Sequence, residues 1–215
     1  MSTSVTTHGP AGPLRFVVLG DSIAYGTGAR HVDEAVGPRL VRELQREGYD
    51  VDLRLLAVPG ATSRDLAAQV RRAVSVGTDL ALIVIGANDL TRLVPPAQAA
   101  AALGAAITAL RAAGARVVVA PAPDLSDFPA IPPAFRPLVH QACLRLQQSQ
   151  AAATETAGGV VAPVSADLAR AFAADPALFS LDRYHPSSAG YARIADVLAP
   201  YVLEVARDRG SKLRT

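Results

Sequence analysis

The stretch Leu14-Arg-Phe-Val-Val-Leu-Gly-Asp-Ser-Ile23 decides the fold. Residues 14–19 are apolar at every position but Arg15, and the run breaks at Gly20 into turn and helix-capping residues. A strand with one face in water alternates polar and apolar side chains; a near-continuous apolar run suits a strand covered on both faces. Such strands belong to parallel sheets. Comparable runs recur at 51–58, 80–85 (Leu-Ala-Leu-Ile-Val-Ile), 116–120 and, briefly, 160–161. Between them the sequence predicts helices over 33–47, 63–75, 97–113 and 135–157, with a closing helix over 186–206. Val36, Leu40 and Leu44 share one face of the first, and Gly48 and Gly114 follow helices where a left-handed cap is needed.

Strands alternating with helices imply parallel strands joined by right-handed crossovers. The expected architecture is α/β: a three-layer α/β/α sandwich around a five-stranded parallel sheet, flavodoxin-like. One domain is expected over 14–208, between a flexible N-terminal tail (1–13) and a C-terminal tail (209–215). No internal repeat or linker interrupts it. In such sheets ligands bind outside the carboxyl ends of the strands, so chemistry is sought in the residues just past each one.

Composition narrows the function. Lys plus Arg number 21 and Asp plus Glu 19, and no basic run could track phosphates, so no nucleic-acid partner is expected. Cys143 is the single cysteine, which excludes an intrachain disulfide and a Cys-rich zinc site. No His or carboxylate cluster has ligand spacing, so neither metal nor cofactor is expected. The polar start of the chain does not read as a signal peptide, and no apolar run approaches the roughly 20 residues of a membrane span. A cytoplasmic location follows as the expectation. Nothing in the sequence fixes an oligomeric state.

Four short motifs stand at the strand ends. Gly20-Asp21-Ser22-Ile23 places the Ser22 hydroxyl just past the first strand, although Asp and Ser also cap helices in any protein. Val58-Pro59-Gly60-Ala61-Thr62-Ser63 follows the second; Gly60 can bring its N–H close to a ligand, or simply make a turn. Gly86-Ala87-Asn88-Asp89 follows the third, where the Asn88 amide can donate into the same crevice or close an Asx turn. Leu181-Asp182-Arg183-Tyr184-His185-Pro186 lies near the end, spaced so that Asp182 can orient the His185 imidazole. His8, His31 and His140 lack that setting. Each motif has an ordinary structural explanation alone; together, all at one rim of a sheet, they point to nucleophilic catalysis.

In these four blocks the chain resembles the SGNH hydrolases, the GDSL esterase and lipase family, and in particular its small bacterial single-domain members. Ser22, Gly60 and Asn88 match the first three blocks, and Asp182 and His185 the last. The run through Pro186, Ser187, Gly190 and Tyr191 adds to the match. Two positions depart from the family pattern: Ile23 stands where Leu is usual, and Leu55 where many members carry Asn. The resemblance implies a carboxylic ester hydrolase working through a covalent acyl-enzyme. Ser22 would be its nucleophile, His185 its base, and Asp182 the stabiliser of the imidazolium. The N–H groups of Ser22 and Gly60 and the Asn88 side chain would form the oxyanion hole. Asp21 and Asp89 read as structural.

The expected partner is a small-molecule ester, with short to medium acyl chains favoured. Phe128, Ile131 and Phe135 punctuate the Pro-rich stretch 121–137 and are candidates for the acyl wall; packing of the loop onto the body explains them equally well. An acyltransferase would use the same catalytic residues, and a non-catalytic binding module could use the same fold. A nucleotide site is excluded by the missing third Gly after Gly26 and Gly28 and by the lack of a Gly-Lys-Ser/Thr loop. No Gly-x-Ser-x-Gly elbow is present, which argues against the α/β-hydrolase fold. Cys143, between Ala142 and Leu144, reads as a small buried hydrophobe.

Overall fold

A computed structural model describes residues 12–126, 128, 131–163 and 166–211. The strands are β1 (Leu14–Gly20), β2 (Val51–Leu55), β3 (Leu80–Val84), β4 (Arg116–Ala120) and β5 (Val160–Val161). The helices are α1 (Ser22–Tyr25), α2 (Val36–Arg46), α3 (Leu66–Val76), α4 (Ala87–Thr91), α5 (Pro96–Ala112), α6 (Arg136–Thr156), α7 (Ala166–Ala174) and α8 (Ser188–Ser211). Most of the expected N-terminal tail and the last four residues lie outside the described residues, while 209–211 continue α8.

All strand pairs are parallel and run in the order β2-β1-β3-β4-β5. The chain therefore winds outward from β1 in both directions. The crevice where neighbouring crossovers leave on opposite faces opens between the carboxyl ends of β1 and β3. Ser22 follows one of these strands and Asn88 the other.

Register explains the continuous apolar runs. In β1, Phe16 and Val18 point into one half of the core, with Leu40 and Leu44 of α2 and Leu198 and Val202 of α8. Val17 and Leu19 point into the other half, with Leu66 and Val70 of α3 and Leu103, Ile107 and Leu110 of α5. Both faces of the strand are dry, and every residue of β3 is buried as well. Ala, Val and Leu fill most of this core, as the shortage of aromatic residues requires.

Two differences from the sequence reading concern the second strand and the short helices. The second strand is regular only to Leu55, although Leu56 N–H and Val58 N–H still donate to Val18 C=O (2.9 Å) and Gly20 C=O (3.0 Å) of β1 before the Val58–Ala61 turn, closed by Ala61 N–H donating to Val58 C=O at 3.0 Å. The short helices α1, α4 and α7 were not expected; the first two are too short to show a helical period. Helix α8 passes through Pro200, which sits on its exposed side. Among the described residues no helix is long and apolar enough to cross a membrane.

Candidate active site

The turn that presents Ser22 is built from backbone upward. Gly20 has φ 134°, and a Cβ there would lie 1.8 Å from the Val84 carbonyl oxygen, so β1 can approach β3 this closely only with glycine at its end. Gln69, buried on α3, grips the same residue: its Nε2 donates to Gly20 C=O at 2.9 Å and its Oε1 accepts from Gly20 N–H at 2.8 Å. Asp21 N–H donates to Val84 C=O at 3.1 Å, and the Asp21 carboxylate caps α1 by accepting from Ile23 N–H at 2.9 Å. Ser22 is thereby the first residue of α1, where a helical N–H has no intrahelical acceptor. Burial pushes the Asp21 carboxyl up to about 6, against the opposing pull of the Ile23 N–H.

The second half of the site is a loop that folds around one carboxylate. Asp182 Oδ1 accepts from Ser180 Oγ at 2.7 Å, Tyr184 N–H at 2.8 Å and His185 N–H at 2.9 Å. Asp182 Oδ2 meets His185 Nδ1 at 2.6 Å. Arg183 takes the left-handed backbone conformation (φ 57°) that lets the loop turn so tightly, and Ser180 N–H closes it on His185 C=O at 2.8 Å. Burial opposes the Asp182 charge, but the His185 imidazole, the loop amides and the Ser180 hydroxyl outweigh it and hold the carboxyl well below its usual range. An ionised acceptor on Nδ1 keeps the ring proton there, which leaves the Nε2 lone pair free. That nitrogen lies 3.0 Å from Ser22 Oγ, across 163 residues of sequence.

The three expected donors each have a hydrogen to spare. The N–H groups of Ser22 and Gly60 reach no acceptor among the described residues. Asn88 spends one amide hydrogen on Ala61 C=O at 3.0 Å and keeps the other. Helix α4 and its cap hold the Gly60 loop at two further points. Asp89, fully buried, accepts from Ser63 N–H (3.0 and 3.1 Å) and Ser63 Oγ (3.0 Å), and Arg92 Nη2 donates to Gly60 C=O at 2.9 Å. Burial raises the Asp89 carboxyl, while the Ser63 bonds lower it. Asp21 and Asp89 thus have the structural placement read from the sequence.

Beside the His185 loop lies an apolar cavity of about 100 Å³, walled in part by Ile23, Phe128, Leu168, Phe172, Phe179 and Tyr184. Its aromatic rings pack edge to face in a continuous series, Phe172–Phe179 (5.2 Å), Phe179–Phe128 (5.2 Å), Phe128–Tyr184 (5.5 Å) and Tyr184–His185 (5.0 Å). Of the three residues expected to wall an acyl site, only Phe128 lines this cavity. Ile131 is half-buried elsewhere, and Phe135 is 57% exposed. Pro132 and Pro133 turn the chain into a 3-10 turn and then α6, which carries Phe135 away. Asp124 is the one charged residue in the described lining; it accepts from Ser126 N–H at 2.9 Å and pairs with His140 Nδ1 at 2.5 Å.

Sequence reasoning missed Gln69, Ser180, Arg92 and the walls from α7 and α8. One signal was available for Gln69: it lies on the apolar stripe of α3 with Leu66, Val70 and Ala73. Cys143 is fully buried and its thiol is pushed up to about 11 by that burial, as suits a packing residue. Among the described residues no three His, Cys, Asp or Glu side chains gather as metal ligands would.

The chain is similar to known proteins along most of its length. It is 41% identical over 189 residues to the GDSL-like esterase Rv1075c of Mycobacterium tuberculosis, covering 86% of this chain. It spans 60% of the length of that curated relative. In fold it resembles the psychrotrophic esterase EstA of a Pseudoalteromonas species, solved inhibited by monoethylphosphonate (TM-score 0.71, 20% identity, 90% of this chain and 99% of that one). It also resembles a catalytic mutant of the acetylxylan esterase Axe2 of Geobacillus stearothermophilus (TM-score 0.72, 18% identity, 87% and 93%). The profile of the GDSL-like lipase and acylhydrolase family matches residues 18–193, a span that takes in every motif described above, and the chain belongs to that family.

Proposed function

We propose that this protein hydrolyses carboxylic esters of small molecules through an acyl-enzyme on Ser22. The observation that carries the reading is the unbroken relay from Ser22 Oγ to His185 Nε2 (3.0 Å) and from His185 Nδ1 to Asp182 (2.6 Å). His185 takes the Ser22 proton as Oγ attacks the ester carbonyl, and Asp182 stabilises the imidazolium without taking the proton itself. The carbonyl oxygen, now negative, accepts from Ser22 N–H, Gly60 N–H and Asn88 Nδ2. Collapse breaks the ester C–O bond, and the imidazolium protonates the departing alkoxide. Water then attacks the acyl-enzyme with His185 again as base, releasing the acid and restoring Ser22.

The apolar cavity next to Ile23 and Tyr184 supports acyl chains of short to medium length as the favoured substrates. Intact-mass measurement after treatment with a p-nitrophenyl alkylphosphonate tests the nucleophile. One adduct is expected on the wild type and none on Ser22→Ala. Equal labelling of both proteins would end this assignment.

A further inference from the structure

Two oxyanion donors come from different loops, Gly60 after β2 and Asn88 on α4, and to bracket one oxygen they must keep a fixed separation. The Gly60 tip has little of its own to hold it. Gly60 has no side chain and sits at φ 81°, in a turn closed by Ala61 N–H donating to Val58 C=O and anchored at its start by Val58 N–H donating to Gly20 C=O. The geometry points to Arg92 as a positioning residue for ester hydrolysis, one that ties the Gly60 tip to the helix bearing Asn88.

Arg92 and Asn88 lie four residues apart, one helical turn, on the same side of α4. Asn88 Nδ2 holds Ala61 C=O at 3.0 Å, and Arg92 Nη2 holds Gly60 C=O, the preceding carbonyl, at 2.9 Å. Consecutive peptide planes of the loop are therefore fixed from one helix. Arg92 is exposed, and this is its only side-chain hydrogen bond among the described residues.

A second observation concerns the chain just after it. Leu93 adopts φ 54°, a conformation that disfavours residues with a Cβ, and it is 87% exposed, so packing does not repay the strain. Its N–H donates to Leu90 C=O at 3.1 Å and Val94 N–H to Asp89 C=O at 2.8 Å. That pattern is a Schellman stop, with leucine where glycine is usual. Strain of this kind is tolerated where a nearby site depends on the shape it enforces. Here it ends α4 directly after Arg92.

The inference rests on the esterase reading, and the test separates the two. Arg92→Met and Arg92→Lys are compared with the wild type and with Ser22→Ala on p-nitrophenyl acetate, with melting curves for each. Complete loss of an oxyanion donor costs roughly 10²–10³ in kcat, so a donor merely loosened should cost about tenfold. Arg92→Met is expected to lose about that in kcat with KM and Tm nearly unchanged, and Arg92→Lys, which keeps a donor, to recover part of it. An inactive Ser22→Ala beside a fully active Arg92→Met would overturn the role of Arg92 alone. A fall in rate that tracks a lowered Tm in both variants would overturn it too, by making Arg92 a stability residue. An active Ser22→Ala would instead remove the esterase reading beneath it.

Discussion

Single side chains decide the chemistry, and their environments separate otherwise similar groups. Asp182 and Asp21 are both carboxylates near His185, yet the loop around Asp182 holds it ionised while burial drives Asp21 the other way. Because the folded-state value for Asp21, about 6, lies above that of an unfolded chain, its contribution to stability is greatest below about pH 4. That contribution fades as pH rises through 6, and the loss is on the order of 3 kcal/mol. Asp21→Asn keeps an acceptor for Ile23 N–H without the charge. It should melt higher than the wild type at pH 7.5, with the gap closing by pH 4; a gap equal at both pH values would contradict this account. Asn88→Ala should lower kcat by roughly two to three orders of magnitude. A near-normal rate would take Asn88 out of the oxyanion hole. At this scale the sequence was most legible, because Ser22, Asn88, Asp182 and His185 are distinctive side chains in fixed blocks. Arg92 escaped notice because its partner is the Gly60 carbonyl, which leaves no mark in a sequence, and Gln69 was marked only by its place on the apolar stripe of α3.

Elements carry those residues, and what could be read of them followed their length and surroundings. Strands β1 and β3 are dry on both faces and so spell themselves out as apolar runs, and α2 shows its buried stripe at Val36, Leu40 and Leu44. Helices α1 and α4 span a turn or little more, too few residues for a period to emerge, although they are the ones that present Ser22 and Asn88. The link between α3 and β1 yields a prediction at this scale. Gln69→Leu would leave the Gly20 N–H without its partner, worth about 1–3 kcal/mol when unsatisfied, while the Gly20 C=O keeps the Val58 N–H at 3.0 Å. Urea unfolding should show a loss of roughly 1–3 kcal/mol, with kcat falling as the turn that presents Ser22 loosens. An unchanged urea midpoint would mean the clamp adds nothing to the fold.

Across the whole molecule, the sheet order brings together residues that no local reading could join. The cavity takes Ile23 from the first helix, Phe128 from the loop after β4, Leu168 and Phe172 from α7, and Ile194 and Leu198 from α8. The sequence suggested an acyl wall only within 121–137, since nothing local announces that α7 and α8 will close over the end of the sheet. If this cavity receives the acyl chain, selectivity can be altered from a helix that touches none of the reacting groups. Ala169 is an exposed residue of α7 at the cavity lining, where a larger side chain would obstruct the space without burdening the core. Excluding about three methylenes at about 0.8 kcal/mol each corresponds to a loss of roughly fifty-fold in kcat/KM. Ala169→Phe should therefore lower kcat/KM for p-nitrophenyl octanoate by about that factor while leaving the acetate within about twofold, since a two-carbon acyl group ends before the obstruction. A profile from acetate to octanoate that matches the wild type would place the acyl chain elsewhere on the rim. An equal loss for every ester would indicate a disturbed His185 loop, which the aromatic series from Phe172 to Tyr184 joins to α7.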